Sequence, residues 1–143
     1  MTQTAKIGSI SHGTLRAVDL LEAFADELDR LESERNDVAE ARAVLTLHNA
    51  GWLTIADSEE ASELVQALQD ALNEFAPPYC YFGTTEGDGS DFGFWPSLGA
   101  IEELPRVNDP ADVEAMGEDC VFVNDHGNVT VYGADGKVIW DIV

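Results

Sequence analysis

The sequence predicts an α+β domain: three N-terminal helices packed on one face of a C-terminal antiparallel sheet of about five strands, a hairpin plus a meander. Two observations carry this. In the first half, apolar residues recur at helical spacing; in the second, short aromatic and β-branched runs alternate with glycine-containing turns. A length of 143 residues suits one domain, residues 1–143. Residues 1–13 read as a loose N-terminal arm, with Gly8 and Gly13 as breakers.

The first helix follows Thr14 as N-cap, carries Ala17, Leu21, Phe24, Leu28 and Leu31 on one face, and ends near Glu34. The second starts at about Asp37 with Asn36 as cap. It places Val38, Ala41, Leu45 and His48 on one face and stops at Gly51. Trp52, Leu53 and Ile55 cross a short linker. Asp57 and Ser58 open the third helix, with Glu60 and Ala61 in its first turn. Its stripe is Ala61, Leu64, Leu68, Ala71, Leu72 and Phe75, and Pro77-Pro78 ends it. Tyr79–Gly83 and Asp91–Trp95 read as paired strands around a turn over Thr84–Ser90. A short helix near Leu98–Leu104 and a loop with Pro105 and Pro110 precede three strands. Asp125-His126-Gly127-Asn128 and Ala134-Asp135-Gly136-Lys137 are the turns between them.

Charge is the outlying property. Twenty-eight acidic residues face seven basic ones, a formal net charge of −21. Lys6 and Lys137 are the only lysines, and no basic residue lies between Arg42 and Arg106. Such a chain repels nucleic acid and anionic membranes and suits a basic protein surface or cations. The same balance also suits work in high salt, or plain solubility. No apolar run approaches the ~20 residues of a membrane helix. MTQTAKIGSISHG lacks the apolar core of a secretory signal, so the cytoplasm is the expected compartment. Cys80 and Cys120 form no CxxC and are expected as buried thiols.

Motifs for catalysis fail one after another. Asp91-Phe92-Gly93 spells the metal-binding triplet of protein kinases, but no HRD-type loop or VAIK-type lysine accompanies it. Counted from Glu86 as an EF-hand, the sixth and twelfth positions are Asp91 and Ser97, where glycine and glutamate are required. A looser cation loop of Glu86, Asp88 and Asp91 is left beside the simpler reading of a solvated hairpin tip. His12, His48 and His126 share no metal spacing, and no GxSxG-type nucleophile setting occurs. No catalytic residue and no cofactor is assigned.

The acidic rows hold more information. Opposite its apolar face the first helix carries Asp19, Glu22, Asp26 and Asp29; the third carries Glu59, Glu63, Asp70 and Glu74. Residues four apart lie about 6 Å apart along a helix axis, and DNA phosphates repeat every ~3.4 Å on each strand, so such rows imitate a phosphate ladder coarsely. An ordinary surface helix interleaves glutamate with lysine; the third helix has no basic residue.

The stretches "PPYCYFGTTEGDGSDFGFWPS", "VFVNDHGNVTVYGADGKVIWDIV" and "ISHGTLRAVDLLEAF" resemble a group of small acidic proteins encoded by phages and prophages, with no assigned activity. The resemblance covers roughly half of the chain and carries over no site residue. Its setting implies an inhibitor of host defence, such as a DNA mimic, an antirestriction or an anti-CRISPR protein. The expectation is therefore a non-enzymatic cytoplasmic protein whose eight row residues bind a basic surface of a nucleic-acid-binding protein. Two alternatives stand beside it. One is an interaction protein using apolar contacts through Trp52, Trp95, Trp140, Phe92 and Phe94, with its state as monomer or homodimer open. The other is a metal module at Glu86, Asp88 and Asp91.

Overall fold

A computed structural model describes residues 5–51 and 59–142, apart from the Glu60 side chain. It is α+β, but arranged differently from the expectation. The chain divides into two compact units, Met1–Trp95 and Pro96–Val143, and its strands form two sheets.

The first unit contains β1 (Gly8–Ser11), α1 (Ala17–Leu31), α2 (Asn36–Asn49), α3 (Glu59–Asn73), β2 (Cys80–Thr85) and β3 (Asp88–Pro96). Its sheet has the order β1-β3-β2. β1 lies in the segment expected as a loose arm, which corrects that expectation. Ala5, just before it, is buried, and its N–H donates to the Phe75 carbonyl at 3.1 Å. β1 runs antiparallel to β3, Gly8 opposite Phe94 and Ser9 opposite Gly93, with a register shift before Ser11 opposite Phe92. Gly93 makes this pairing possible: a Cβ there would lie 2.2 Å from the Gly8 carbonyl oxygen.

The helices follow the apolar periodicity, but their ends do not follow the expected caps. Thr14 does not cap α1. It sits two residues before Arg16, the actual N-cap, accepts from the Arg16 N–H and donates to Asp19 Oδ2 at 2.7 Å. The helix stops at Leu31 because the next residue, Glu32, is already extended (φ −150, ψ 106), and Glu34 at φ +65 turns the chain further from helical space. In α2, Asn36 is already helical and Arg35 is the cap; Gly51 closes the end, its N–H bonding the His48 carbonyl. The residues expected to link α2 to α3 and to cap α3, 52–58, lie outside the described residues. Asp37 bonds Arg35, whose guanidinium sits 5.9 Å from the Phe75 ring centre and holds the Asp37 carboxyl below its ordinary range.

The core of this unit joins the inner faces of α1 and α3 to the sheet. Leu21, Phe24, Leu28, Leu68, Leu72 and Phe94 have no exposed surface. Phe24 meets Phe82 and Phe92 edge-on at 5.1 and 5.3 Å, and Phe82 meets Phe94 at 4.9 Å. Each such pair contributes about 0.5–1.5 kcal/mol beyond burial. α2 packs against α1 and α3 and contributes Val38 and Ala41.

The second unit contains α4 (Leu98–Glu102), β4 (Arg106–Val107), a 3₁₀ turn (Pro110–Asp112), α5 (Val113–Met116), β5 (Cys120–Val123), β6 (Val129–Tyr132) and β7 (Val138–Ile142). The expected meander is present as β5-β6-β7, with Val131 opposite Val121 and Trp140. Instead of the expected loop, the segment after α4 adds β4, parallel to β5, and the short helix α5. The expected single five-stranded sheet is thus replaced by a three-stranded and a four-stranded one, and not all helices are N-terminal. The reason is local. The β2–β3 hairpin fills its open side with β1, a strand of Gly, Ser and Ile that propensity does not mark. Val107, Val113 and Cys120 form a small buried cluster, with Met116, Phe122 and Tyr132 packed on it.

Both cysteines are free thiols. Cys120 is fully buried, and burial pushes the Cys80 thiol up to about 11. Among the described residues no helix is long and apolar enough to cross a membrane.

Candidate acidic binding surface

The two acidic rows fall opposite the buried faces of their helices. On α1, Asp19, Glu22, Asp26 and Asp29 fall in a stripe roughly 80° wide, on the far side from Leu21, Phe24, Ala25 and Leu28. On α3, Glu59, Glu63 and Asp70 share a stripe roughly 40° wide, opposite Ala61, Leu68 and Leu72; all three are exposed. Glu74, expected as the fourth of that row, stands one residue past the helix end and is exposed too.

The rows differ in their counter-charges. Arg42, on α2, reaches across to α1 and donates to Asp26 at 3.2 Å and Asp29 at 3.4 Å. Arg16 lies 4.0 Å from Asp19, and Arg30 pairs with Glu27. Among the four row residues of α1, Glu22 alone has no ion pair among the described residues. Among the described residues Glu59, Glu63 and Asp70 have no such partner, and Asp70 accepts from Gln66 Nε2 at 2.9 Å, a neutral donor; Glu74 lies within electrostatic reach of Arg35, whose pKa it helps to raise. Sequence reading overlooked Arg16, the N-cap of α1, although it stands three residues before Asp19; Arg42 lies midway along α2, where sequence spacing points to neither of its partners. The approach of Arg42 to Asp26 and Asp29 is set by how α1 and α2 pack.

A shallow groove of about 530 Å³ runs between β1 and the outer side of α1. Ser9 and Ile10 form one wall; Asp19, Glu22, Ala23, Asp26, Glu27 and Arg30 form the other. Sequence reading missed it too, because β1 itself was not expected.

The cation loop is not assembled. The turn between β2 and β3 is only Glu86-Gly87, with Gly87 at φ +88, so Asp88 lies on the strand with Asp91 and not in the expected Thr84–Ser90 turn. Three residues apart on a strand, they point to opposite faces. Asp88 accepts from the N–H and hydroxyl of Ser90, which hold its carboxyl below the ordinary range; Asp91 accepts from Ser9 Oγ at 2.5 Å. Among the described residues no group of three His, Cys, Asp or Glu is placed to hold a metal ion.

The aromatics expected to mark an apolar contact surface are mostly inside. Phe94 has no exposure, and Phe92 and Trp140 are below one tenth exposed. Trp95 is half-buried, its indole N–H shared between the carbonyls of Gly83 and Asp91. Trp52 lies outside the described residues. The large apolar side chains that are exposed, Leu15, Leu47, Leu98 and Val138, stand on four separate segments.

No protein-family model matches the chain, and no curated protein or solved structure is significantly similar to it.

Proposed function

We propose that the chain is a non-enzymatic acidic protein that occupies the nucleic-acid-binding surface of a basic partner protein. The observation that carries this reading is the α3 row. It is an exposed line of carboxylates, Glu59, Glu63 and Asp70, along one side of α3, without an ion pair among the described residues, in a chain of net charge −21. A partner built for phosphates supplies the missing cations. Contact then exchanges solvated carboxylates for charge-assisted hydrogen bonds from arginine and lysine. The α1 row contributes less, because Arg42 and Arg16 already partner three of its members. The resemblance to phage-encoded acidic proteins directs the proposal toward host defence nucleases and CRISPR effectors, whose grooves carry that positive charge.

The test is competition. The purified chain is mixed with candidate DNA-binding effectors at low and at physiological salt, and displacement of labelled duplex DNA is followed by fluorescence anisotropy. Displacement that disappears in a variant combining Glu59→Gln, Glu63→Gln, Asp70→Asn and Glu74→Gln supports the proposal. An effector that binds the chain and DNA together refutes mimicry.

A further inference from the structure

We infer that the groove between β1 and α1 takes an extended, lysine- or arginine-bearing segment of another protein as an added strand on β1. Two independent observations meet there. β1 is the outermost strand of the β1-β3-β2 sheet, and among the described residues it pairs only with β3. One edge of its backbone N–H and C=O groups therefore stays available, which is the template that strand addition uses. The opposite wall of the groove carries Asp19, Glu22, Asp26 and Glu27 with Arg30; Arg16, Arg42 and Arg30 partner Asp19, Asp26 and Glu27, and Glu22 stands without an ion pair among the described residues. A strand laid along β1 projects every second side chain toward one face, at a repeat of about 6.5–7 Å. Carboxylates one helical turn apart on α1 repeat at about 5.4 Å, close enough for alternate lysines to reach them. Ile10 and Ala23 supply the apolar floor for the aliphatic stems of those lysines.

Charge selects the occupant. A second copy of this chain would bring more carboxylates to the wall and is repelled; a basic strand gains from the same wall. The acids thus protect an open edge from self-pairing while admitting an oppositely charged segment. This surface is separate from the α3 row that carries the proposed mimicry but shares Asp19, Glu22 and Asp26 with the α1 row, so the α3 variant below keeps the failure of one reading distinguishable from the failure of the other.

The probe is the capped peptide Lys-Val-Lys-Val-Lys, titrated into nitrogen-15-labelled full chain and followed by NMR. The expected result is saturable shifts of the Gly8–Ser11 amides together with Asp19–Glu27. Methylation of alternate peptide nitrogens, which removes strand hydrogen bonds and leaves the charge, is expected to weaken binding by about tenfold. Glu22→Lys, at the groove acid without an ion pair, is expected to weaken it by about tenfold as well. Equal binding of the methylated peptide, unchanged affinity of Glu22→Lys, or shifts that bypass β1 would each overturn the inference. A variant with Glu63→Gln and Asp70→Asn is expected to bind the peptide like the wild type. Loss of peptide binding in that variant would move the contact to α3 and overturn the groove assignment.

Discussion

The two units of the chain are both acidic, and they use their acids differently. In Met1–Trp95 the row carboxylates of α1 and α3 point away from the core, and their hydrogen bonds and ion pairs run to side chains: arginines at Asp19, Asp26 and Asp29, Thr14 at Asp19 and Gln66 at Asp70. In Pro96–Val143 the side chains that shape the turns accept from backbone N–H groups instead. Asp109 accepts from Ala111, Asp119 from Ala134, Asp135 from Lys137, and Asn124 from both His126 and Asn128. These are turn-forming bonds of short polar side chains. A net charge therefore overstates the binding surface: three of the second unit's ten acidic residues, Asp109, Asp119 and Asp135, fix its loops, while Glu59 and Glu63 of the α3 row have no comparable bond among the described residues. The contrast extends to the cores. The first unit rests on helical stripes closing over a phenylalanine cluster, the second on a small sheet cluster around Val113 and Cys120.

The contrast can be broken or sharpened at graded cost. The largest effect is expected from Phe24→Ala, which removes the ring at the centre of the aromatic cluster and should cost about 3–5 kcal/mol in urea unfolding. Next comes Gly93→Ala. With 2.2 Å to the Gly8 carbonyl, β1 must move off β3, for an expected loss of about 2 kcal/mol and faster hydrogen exchange at Gly8–Ser11. In the second unit, Asp119→Ala leaves the Ala134 N–H without its carboxylate and should cost about 1 kcal/mol. A smaller effect comes from acid. Asp37 titrates below its ordinary value because of Arg35, so its contribution is complete above the unfolded carboxylate pKa and disappears as pH falls through the depressed folded value. Arg35→Gln should flatten that acid-side slope in pH-dependent melts. The smallest change belongs to Glu63→Gln, expected within about 0.5 kcal/mol of wild type. If Glu63→Gln cost as much as Asp119→Ala, the division between structural and free acids would collapse.

The periodic parts of this fold were legible in the sequence, and the non-local parts were not. The stripe of α3 predicts its buried face residue by residue: Ala61, Leu68, Ala71, Leu72 and Phe75 are buried, and Leu64 packs on the core. The C-terminal meander follows from its two turns. β1 and β4 escaped, because Gly-Ser-Ile-Ser carries little strand propensity and two residues carry no pattern, so each is defined by its partner. The caps of α1 and α2 also misled, since Thr14 and Asn36 have the right chemistry but stand two residues before and one residue after the actual cap. For the site, the rows themselves could be read from spacing. Their neutralisation could not, because Arg42 meets Asp26 and Asp29 only through helix packing.

The chemistry of the two thiols has a practical consequence for all of these measurements. With the Cys80 value near 11, roughly one molecule in ten thousand is a thiolate at neutral pH, and Cys120 is sealed inside. Maleimide dyes should therefore pass over both native sulfurs. A single introduced thiol, at Glu63→Cys on α3 or Ser9→Cys beside the groove, then becomes the selective point of attachment. The two candidate surfaces can be labelled one at a time in otherwise native protein, and a docking partner can be watched arriving at each.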